Sequence, residues 1–240
     1  MTSNPSVVIG DIHGDNAKLI AMISKIREMY GEDVDLYSTG DLIDRGSDSK
    51  GVIETCIQEG VSACVGNHDF WVLQLLHTKR ILPYLFDNVW GIVPTLESYG
   101  VHTRVPAQAS KELLEKMPQS HKDFFMDSHF VQRVDMDGEL YWLTHSGIEK
   151  RAGESITAST DIEFIDKILK KDVTQVYFGY PDLKRDGVYS FRSGTQIFGH
   201  QILKRPIVRD RWIAIDTGCG TVRGAKLTAV ILPDRKIIQV

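Results

Sequence analysis

Asp11 and His13 lie two positions apart in Gly10-Asp11-Ile12-His13-Gly14, directly after the apolar run Val7-Val8-Ile9. One carboxylate and one imidazole so placed are good ligands for a divalent metal ion. The arrangement recurs along the chain. Asp41 follows Val34 to Ser38, and Asn67 and His68 follow Val61 to Val65. His145 ends the stretch Val131 to Thr144, and His200 ends Gln196 to Phe198. Glycine stands beside or one residue from each candidate. In an open α/β sheet, residues just beyond the strand ends share one crevice, so these five endings would bring two Asp, one Asn and four His together. This set of oxygen and nitrogen donors without cysteine favours Mn²⁺, with Fe²⁺, Zn²⁺ or Ni²⁺ compatible, over Ca²⁺ or a thiolate zinc site. Even six of these seven exceed what one catalytic ion with an open position can use. They suit two ions sharing a carboxylate, an arrangement that clamps both oxygens of an in-line displacement at phosphorus. Phosphate-ester hydrolysis is the expected chemistry.

The elements that must position these residues can be read from the pattern between them. Asp15 is a good N-cap for a helix carrying Leu19, Ile23, Ile26 and Tyr30, with Gly31 at its stop. Ser49 is read as the cap of a second helix with Val52, Ile53, Cys56 and Ile57, closed by Gly60. Strand, glycine-rich loop and helix thus alternate twice, which predicts βαβ units and a largely parallel sheet. The rhythm breaks at about residues 70–130, where Pro83, Pro94, Pro106 and Pro118 interrupt a stretch rich in Leu, Phe and Trp. Helical pieces are expected there at Phe70 to Lys79, Lys111 to Lys116 and Gln119 to Ser128, as a helical cap within a single domain spanning 1–240. Asp137-Gly138 marks a hairpin turn. Thr160 would cap a helix with Ile162, Ile165 and Leu169 on one face, Gln175 to Phe178 reads as a strand, and the last 35 residues read as antiparallel strands.

Composition narrows the partners. A net charge of −4 over 240 residues argues against a broad nucleic-acid-binding surface. Three cysteines without zinc spacing (Cys56, Cys64 and Cys219) predict no disulfide framework and a reducing compartment. No uncharged apolar run reaches membrane-spanning length, and Met1 to Ser6 has neither a basic nor a long apolar segment. A cytoplasmic protein is expected, and nothing in the sequence sets its oligomeric state.

Gly10-Asp11-Ile12-His13-Gly14, Gly40-Asp41-Leu42-Ile43-Asp44-Arg45-Gly46 and Gly66-Asn67-His68-Asp69, with His145 and Gly199-His200 after them, resemble the signature blocks of the phosphoprotein phosphatase branch of the calcineurin-like metallophosphoesterases. The resemblance covers roughly residues 6–75 and 140–232. It implies a four-layer αββα sandwich, an α/β fold, around a dinuclear centre. Asp11 and His13 then correspond to ligands of the first ion, Asp41 to the bridging ligand, and Asn67, His145 and His200 to ligands of the second. His68 corresponds to the general acid, Asp44 to its orienting partner and Arg45 to a phosphate-binding arginine. The implied mechanism is attack by a metal-bridging hydroxide with histidine as general acid.

Three positions depart from the protein-phosphatase pattern. Asp69 stands where glutamate is usual, Ser146-Gly147 replaces two glycines, and Val65 replaces a second phosphate-binding arginine. Arg185 and Arg192, in the loop before His200, are expected to supply the missing phosphate donors. The reading is a protein serine/threonine phosphatase acting on phosphoproteins. The alternative is a diadenosine tetraphosphate hydrolase, since Gly66 to Asp69 and Ala214-Ile215-Asp216-Thr217-Gly218-Cys219 resemble segments of those enzymes. A non-catalytic phosphate-binding protein is the reading from another class.

Overall fold

The computed structural model describes residues 5–240, so the reading of the first six residues falls largely outside the described part. The chain opens with β1 (Ser6–Ile9), α1 (Asn16–Tyr30), β2 (Asp35–Ser38), α2 (Ser49–Gln58) and β3 (Ser62–Ala63). The helices α3 (Asn67–Thr78), α4 (Ile92–Ser98), α5 (Pro106–Lys116) and α6 (Gln119–Asp127) follow. Next come the hairpin β4 (Val131–Met136) and β5 (Glu139–Thr144), then α7 (Lys150–Glu154), α8 (Asp161–Asp172) and α9 (Thr174–Tyr177). The chain closes with β6 (Thr195–Phe198), β7 (Ile207–Val208), β8 (Trp212–Ala214), β9 (Thr228–Leu232) and β10 (Lys236–Gln239).

The strands form two mixed five-stranded sheets, ordered β10-β9-β1-β2-β3 and β4-β5-β6-β8-β7. Alternation along the strands decides what each face meets. Val7 and Ile9 point to a core shared with Leu19 and Ile23 of α1 and Val52 and Ile53 of α2, whereas Val8 points the other way. There it meets Val230 and Leu232 of β9 together with Val134, Tyr141, Leu143, Ile197 and Ile213 of the second sheet. Trp142, between Tyr141 and Leu143, packs instead on Phe164 and Ile168 of α8. The layers are therefore helix, sheet, sheet, helix. Burying each of these aliphatic side chains contributes roughly 1.5–3 kcal/mol, and the interior strands β1 and β5 draw on cores on both faces. That makes their C-terminal ends rigid platforms.

Local details differ from the sequence reading for identifiable reasons. Asp48, not Ser49, caps α2, its carboxylate accepting from Gly51 N at 2.9 Å. Ser49 is buried instead, its hydroxyl 2.8 Å from Thr95 Oγ1. Residues 174–177 are helical rather than a strand, because Asp172 accepts from Thr174 N at 3.1 Å and starts a new turn. A four-residue apolar run carries no period able to separate the two. Ile162 is 58% exposed, and Phe164 and Ile168 face the core in its place. The closing strands are antiparallel at β7–β8 and β9–β10, but β8 runs parallel to β6 and joins the second sheet. No helix among the described residues is long and apolar enough to cross a membrane.

Candidate dinuclear metal site

Each expected ligand sits within a few residues of a strand end. Asp11 and His13 follow β1, Asp41 follows β2, Asn67 and His68 open α3 just after β3, His145 follows β5 and His200 follows β6. The backbone turns sharply at these points. His13, Asp41, Asp44, Arg45 and His200 all have positive φ, between 48° and 71°, a region that costs a non-glycine residue free energy and persists only where its surroundings enforce it. Close approach does the enforcing. A Cβ on Gly199 would fall 1.8 Å from Asp11 Oδ1, and one on Gly66 would fall 2.2 Å from Asp41 Oδ1. Only glycine lets these strand ends come so near the carboxylates.

The histidine tautomers are set by backbone carbonyls. His13 Nδ1 lies 3.0 Å from Ile43 O, and His145 Nδ1 lies 2.9 Å from Thr39 O. Each Nδ1 must donate there, which leaves Nε2 as a bare lone pair. His145 Nε2 then faces Asn67 Oδ1 at 3.0 Å, His200 Nδ1 at 3.2 Å and Asp41 Oδ1 at 3.4 Å. His13 Nε2 faces Asp41 Oδ2 at 3.5 Å. The lone pairs of His145 Nε2, Asn67 Oδ1 and Asp41 Oδ1 converge and repel unless a cation lies among them. The donor set therefore fits metal ions. The clusters His13–Asp41–His68 and Asp41–His145–His200 have Asp41 in common.

Electrostatics agree with that fit. Burial pushes His13 and His200 down to about 3, and it lowers His145 as well, so all three stay neutral ligands. Burial opposes ionisation of Asp41, but His145, His68 and the neighbouring histidines outweigh it and hold the carboxyl below its ordinary range. Asp11 is raised, by burial first and then by the charges of Asp216 and Asp41. Its oxygens accept from Thr39 Oγ1 at 3.2 Å and from His200 N at 2.9 Å, which ties it to the strand ends that carry Asp41 and His200.

His68 differs from the other imidazoles. Its Nδ1 is 2.9 Å from Asp44 Oδ2, and its Nε2 is 3.0 Å from Arg45 Nη2. Burial lowers His68, yet Asp41 and the hydrogen bond to Asp44 outweigh it, and its pKa is raised. Asp44 is held in turn by Trp71 Nε1 at 3.0 Å and by Thr95 Oγ1, which donates to Oδ1 at 2.7 Å. A carboxylate on Nδ1 and a raised pKa favour the protonated ring that a general acid needs, and Nε2 faces the Arg45 guanidinium. Arg45 spans the site, its Nη1 reaching His13 Nε2 at 3.0 Å and Thr221 Oγ1 at 2.9 Å.

Arg185 and Arg192 are not brought to this crevice. Arg185 is exposed in its own turn, 3.8 Å from Asp182. The guanidinium of Arg192 is bonded to Ala158 O, and its backbone N donates to Asp161 at 2.8 Å. The N-terminus of α8 takes both groups.

Sequence reasoning passed over three contributors. Asp216 follows β8, a sixth strand end, and is buried with its pKa raised to about 6, by burial first and then by Asp41. The same apolar-run rule would have found it. Asp69 accepts from Leu42 N and Gly66 N, both at 3.0 Å, tying two motif blocks together. Thr95 lies 51 residues from Asp44 in sequence, so no local pattern marks it.

Above these groups opens a cavity of about 400 Å³, with Asp41, Arg45, Asn67, His68 and His200 at its floor and Trp90, Phe178 and Tyr180 on its walls. A larger hollow of about 610 Å³ near Cys56 and Phe124 is lined by none of the expected ligands.

Known proteins resemble this chain along its length. The symmetrical bis(5'-nucleosyl)-tetraphosphatase of Neisseria gonorrhoeae is 39% identical, over 97% of this chain and 94% of that one. The asymmetrical bis(5'-nucleosyl)-tetraphosphatase PrpE of Bacillus velezensis is 28% identical, over 97% and 91%. A crystal structure described as that of a candidate diadenosine tetraphosphatase superposes with a TM-score of 0.64 at 18% identity, covering 99% of this chain and 93% of the other, and so shares the fold. The calcineurin-like phosphoesterase family model matches residues 5–237. The chain belongs to the calcineurin-like phosphoesterase family and is a hydrolase acting on phosphate esters.

Proposed function

We propose that the protein is a metal-dependent hydrolase of dinucleoside polyphosphates, with diadenosine tetraphosphate as the type substrate. The observation that carries this is similarity to two kinds of bis(5'-nucleosyl)-tetraphosphatase over nearly the whole chain. It favours the dinucleotide over the phosphoprotein substrate that the motif blocks alone suggest.

Asp11 and His13 would hold one ion, Asn67, His145 and His200 the other, and Asp41 both, with Mn²⁺ the proposed metal. Bound there, the ions would supply positive charge at phosphorus and acidify the attacking water. The remaining work belongs to the side chains. Arg45 offers planar paired donors to the phosphate oxygens. His68 donates its Nε2 proton to the departing oxygen, and Asp44 keeps that tautomer by accepting from Nδ1. Trp71 and Thr95 fix the Asp44 carboxylate so that the histidine cannot swing.

Purified protein supplied with Mn²⁺ tests the reading. Diadenosine tetraphosphate and a phosphoserine peptide are offered separately, and the products are separated by ion exchange. Fast release of nucleotides with slow release of phosphate from the peptide is expected. Release of phosphate from the peptide with the dinucleotide intact would overturn the proposal.

A further inference from the structure

We infer that Trp90, Phe178 and Tyr180 form a slot at the mouth of the cavity that stacks a nucleobase of the substrate. The inference rests on the dinucleotide reading above and says which residues recognise the nucleoside.

The three rings come from two segments. Trp90 lies in the turn before α4, Phe178 just after α9, and Tyr180 in the loop beyond it. They nevertheless meet around one opening. The Trp90 ring lies 5.4 Å from that of His68 and 6.4 Å from that of Phe178. Tyr180 stands edge-on to His200 at 4.5 Å. The acid is therefore flanked by one aromatic wall and a metal-ligand histidine by the other. Phe178 is 41% exposed and Tyr180 61% exposed, although rings of this size usually dominate a core. Exposed apolar surface gathered beside a polar centre marks a binding site.

The position of Trp90 is tied to the phosphate-binding group. Arg45 N donates to Gly91 O at 2.8 Å, and a Cβ on Gly91 would fall 2.9 Å from Arg45 Cγ. The residue that would grip phosphate is thus bonded to Gly91, the chain neighbour of the residue that would stack a base. In a nucleotide these two chemical groups are likewise separated by a single sugar. Arg45 and the ligand cluster account for the anion but leave a base without a partner. The three rings supply one, and base stacking on aromatic side chains tolerates any base because each has a π-face.

The test compares two anhydrides in Mn²⁺-loaded protein: diadenosine tetraphosphate and inorganic tripolyphosphate, which has no base. The readout is the ratio of their kcat/KM values. Trp90→Ala and Tyr180→Ala should each lower that ratio about 5- to 150-fold through the KM of the dinucleotide. Tyr180→Phe should keep the ratio, since stacking needs the ring and not the hydroxyl. An unchanged ratio in folded Ala variants would overturn the slot, as would a loss in Tyr180→Phe equal to that in Tyr180→Ala. Calorimetric titration with adenosine 5'-monophosphate and with ribose 5-phosphate reads the slot without turnover. Tighter binding of the nucleotide, lost in Tyr180→Ala, supports it, and equal affinities overturn it. If the wild type cleaves only tripolyphosphate, the proposed function fails, while the titration still decides the slot.

Discussion

The floor and the walls of the cavity are built by different means. At and beneath the floor, seven candidate residues follow five strand ends, are mostly buried, and are fixed by hydrogen bonds to backbone groups such as Ile43 O, Thr39 O and His200 N. On the walls, Trp90, Phe178 and Tyr180 sit in loops, where Phe178 and Tyr180 expose much of their surface and Trp90 is partly buried. The floor has almost no freedom, because glycines at 66 and 199 hold neighbouring backbone against the carboxylates. Of the walls, Trp90 is tied to the floor through the bond from Arg45 N to Gly91 O. On the proposed reading, the sheet ends set the chemistry and the loops the choice of substrate.

Substitutions can break this division, beginning where the effect should be largest. Asp41→Asn withdraws charge from both clusters, and metal content measured by plasma emission should fall from two ions per chain to one or none, with activity falling to the metal-free background. Two retained ions would show that Asp41 is not shared. His68→Asn should keep both ions yet lose 10²–10⁴-fold in turnover of an alkyl phosphate, whose leaving oxygen needs a proton. The loss should be smaller for a dinucleoside polyphosphate, whose departing phosphate is already a good leaving group. Equal losses on the two substrates would argue for a positioning role instead.

Thr95→Val tests the support beneath the acid. It removes the donor to Asp44 Oδ1 and leaves a buried carboxylate oxygen short of a partner, at a cost of about 1–3 kcal/mol in stability by urea unfolding. Turnover should fall about 10- to 100-fold, the range expected when the support of a site residue is lost. At the small end, Arg185→Ala and Arg192→Ala should change kcat/KM less than about 2-fold, since an exposed pair is worth little and Arg192 is spent on Ala158. A larger loss from either would return that arginine to substrate binding.

Much of the floor can be read from sequence alone. Apolar runs such as Val7 to Ile9 report buried strands, and residues just past a strand end must enter the crevice, so Asp11, His13, Asp41, Asn67, His145 and His200 announce themselves. Asp15 as an N-cap and the Asp137-Gly138 turn are equally local, and both are present. What fails is information carried by distance. The bond from Thr95 to Asp44 joins a cap helix to a motif loop, and the division of the closing strands between two sheets depends on β8 pairing with β6. The expectation for Arg185 and Arg192 assigned a role by composition of a loop, and the loop's own contacts take both residues elsewhere. The aromatic walls have no periodic signal at all, because their rings come from two irregular segments, one with Trp90 and one with Phe178 and Tyr180, far apart in the chain.

The shared role of Asp41 is the claim on which the rest depends, and anomalous diffraction from crystals grown with Mn²⁺ tests it directly. Two peaks roughly 3.5–4 Å apart are predicted, both within bonding distance of Asp41, one beside His13 and Asp11 and the other beside Asn67, His145 and His200. A single peak, or ions bound away from Asp41, would contradict the account.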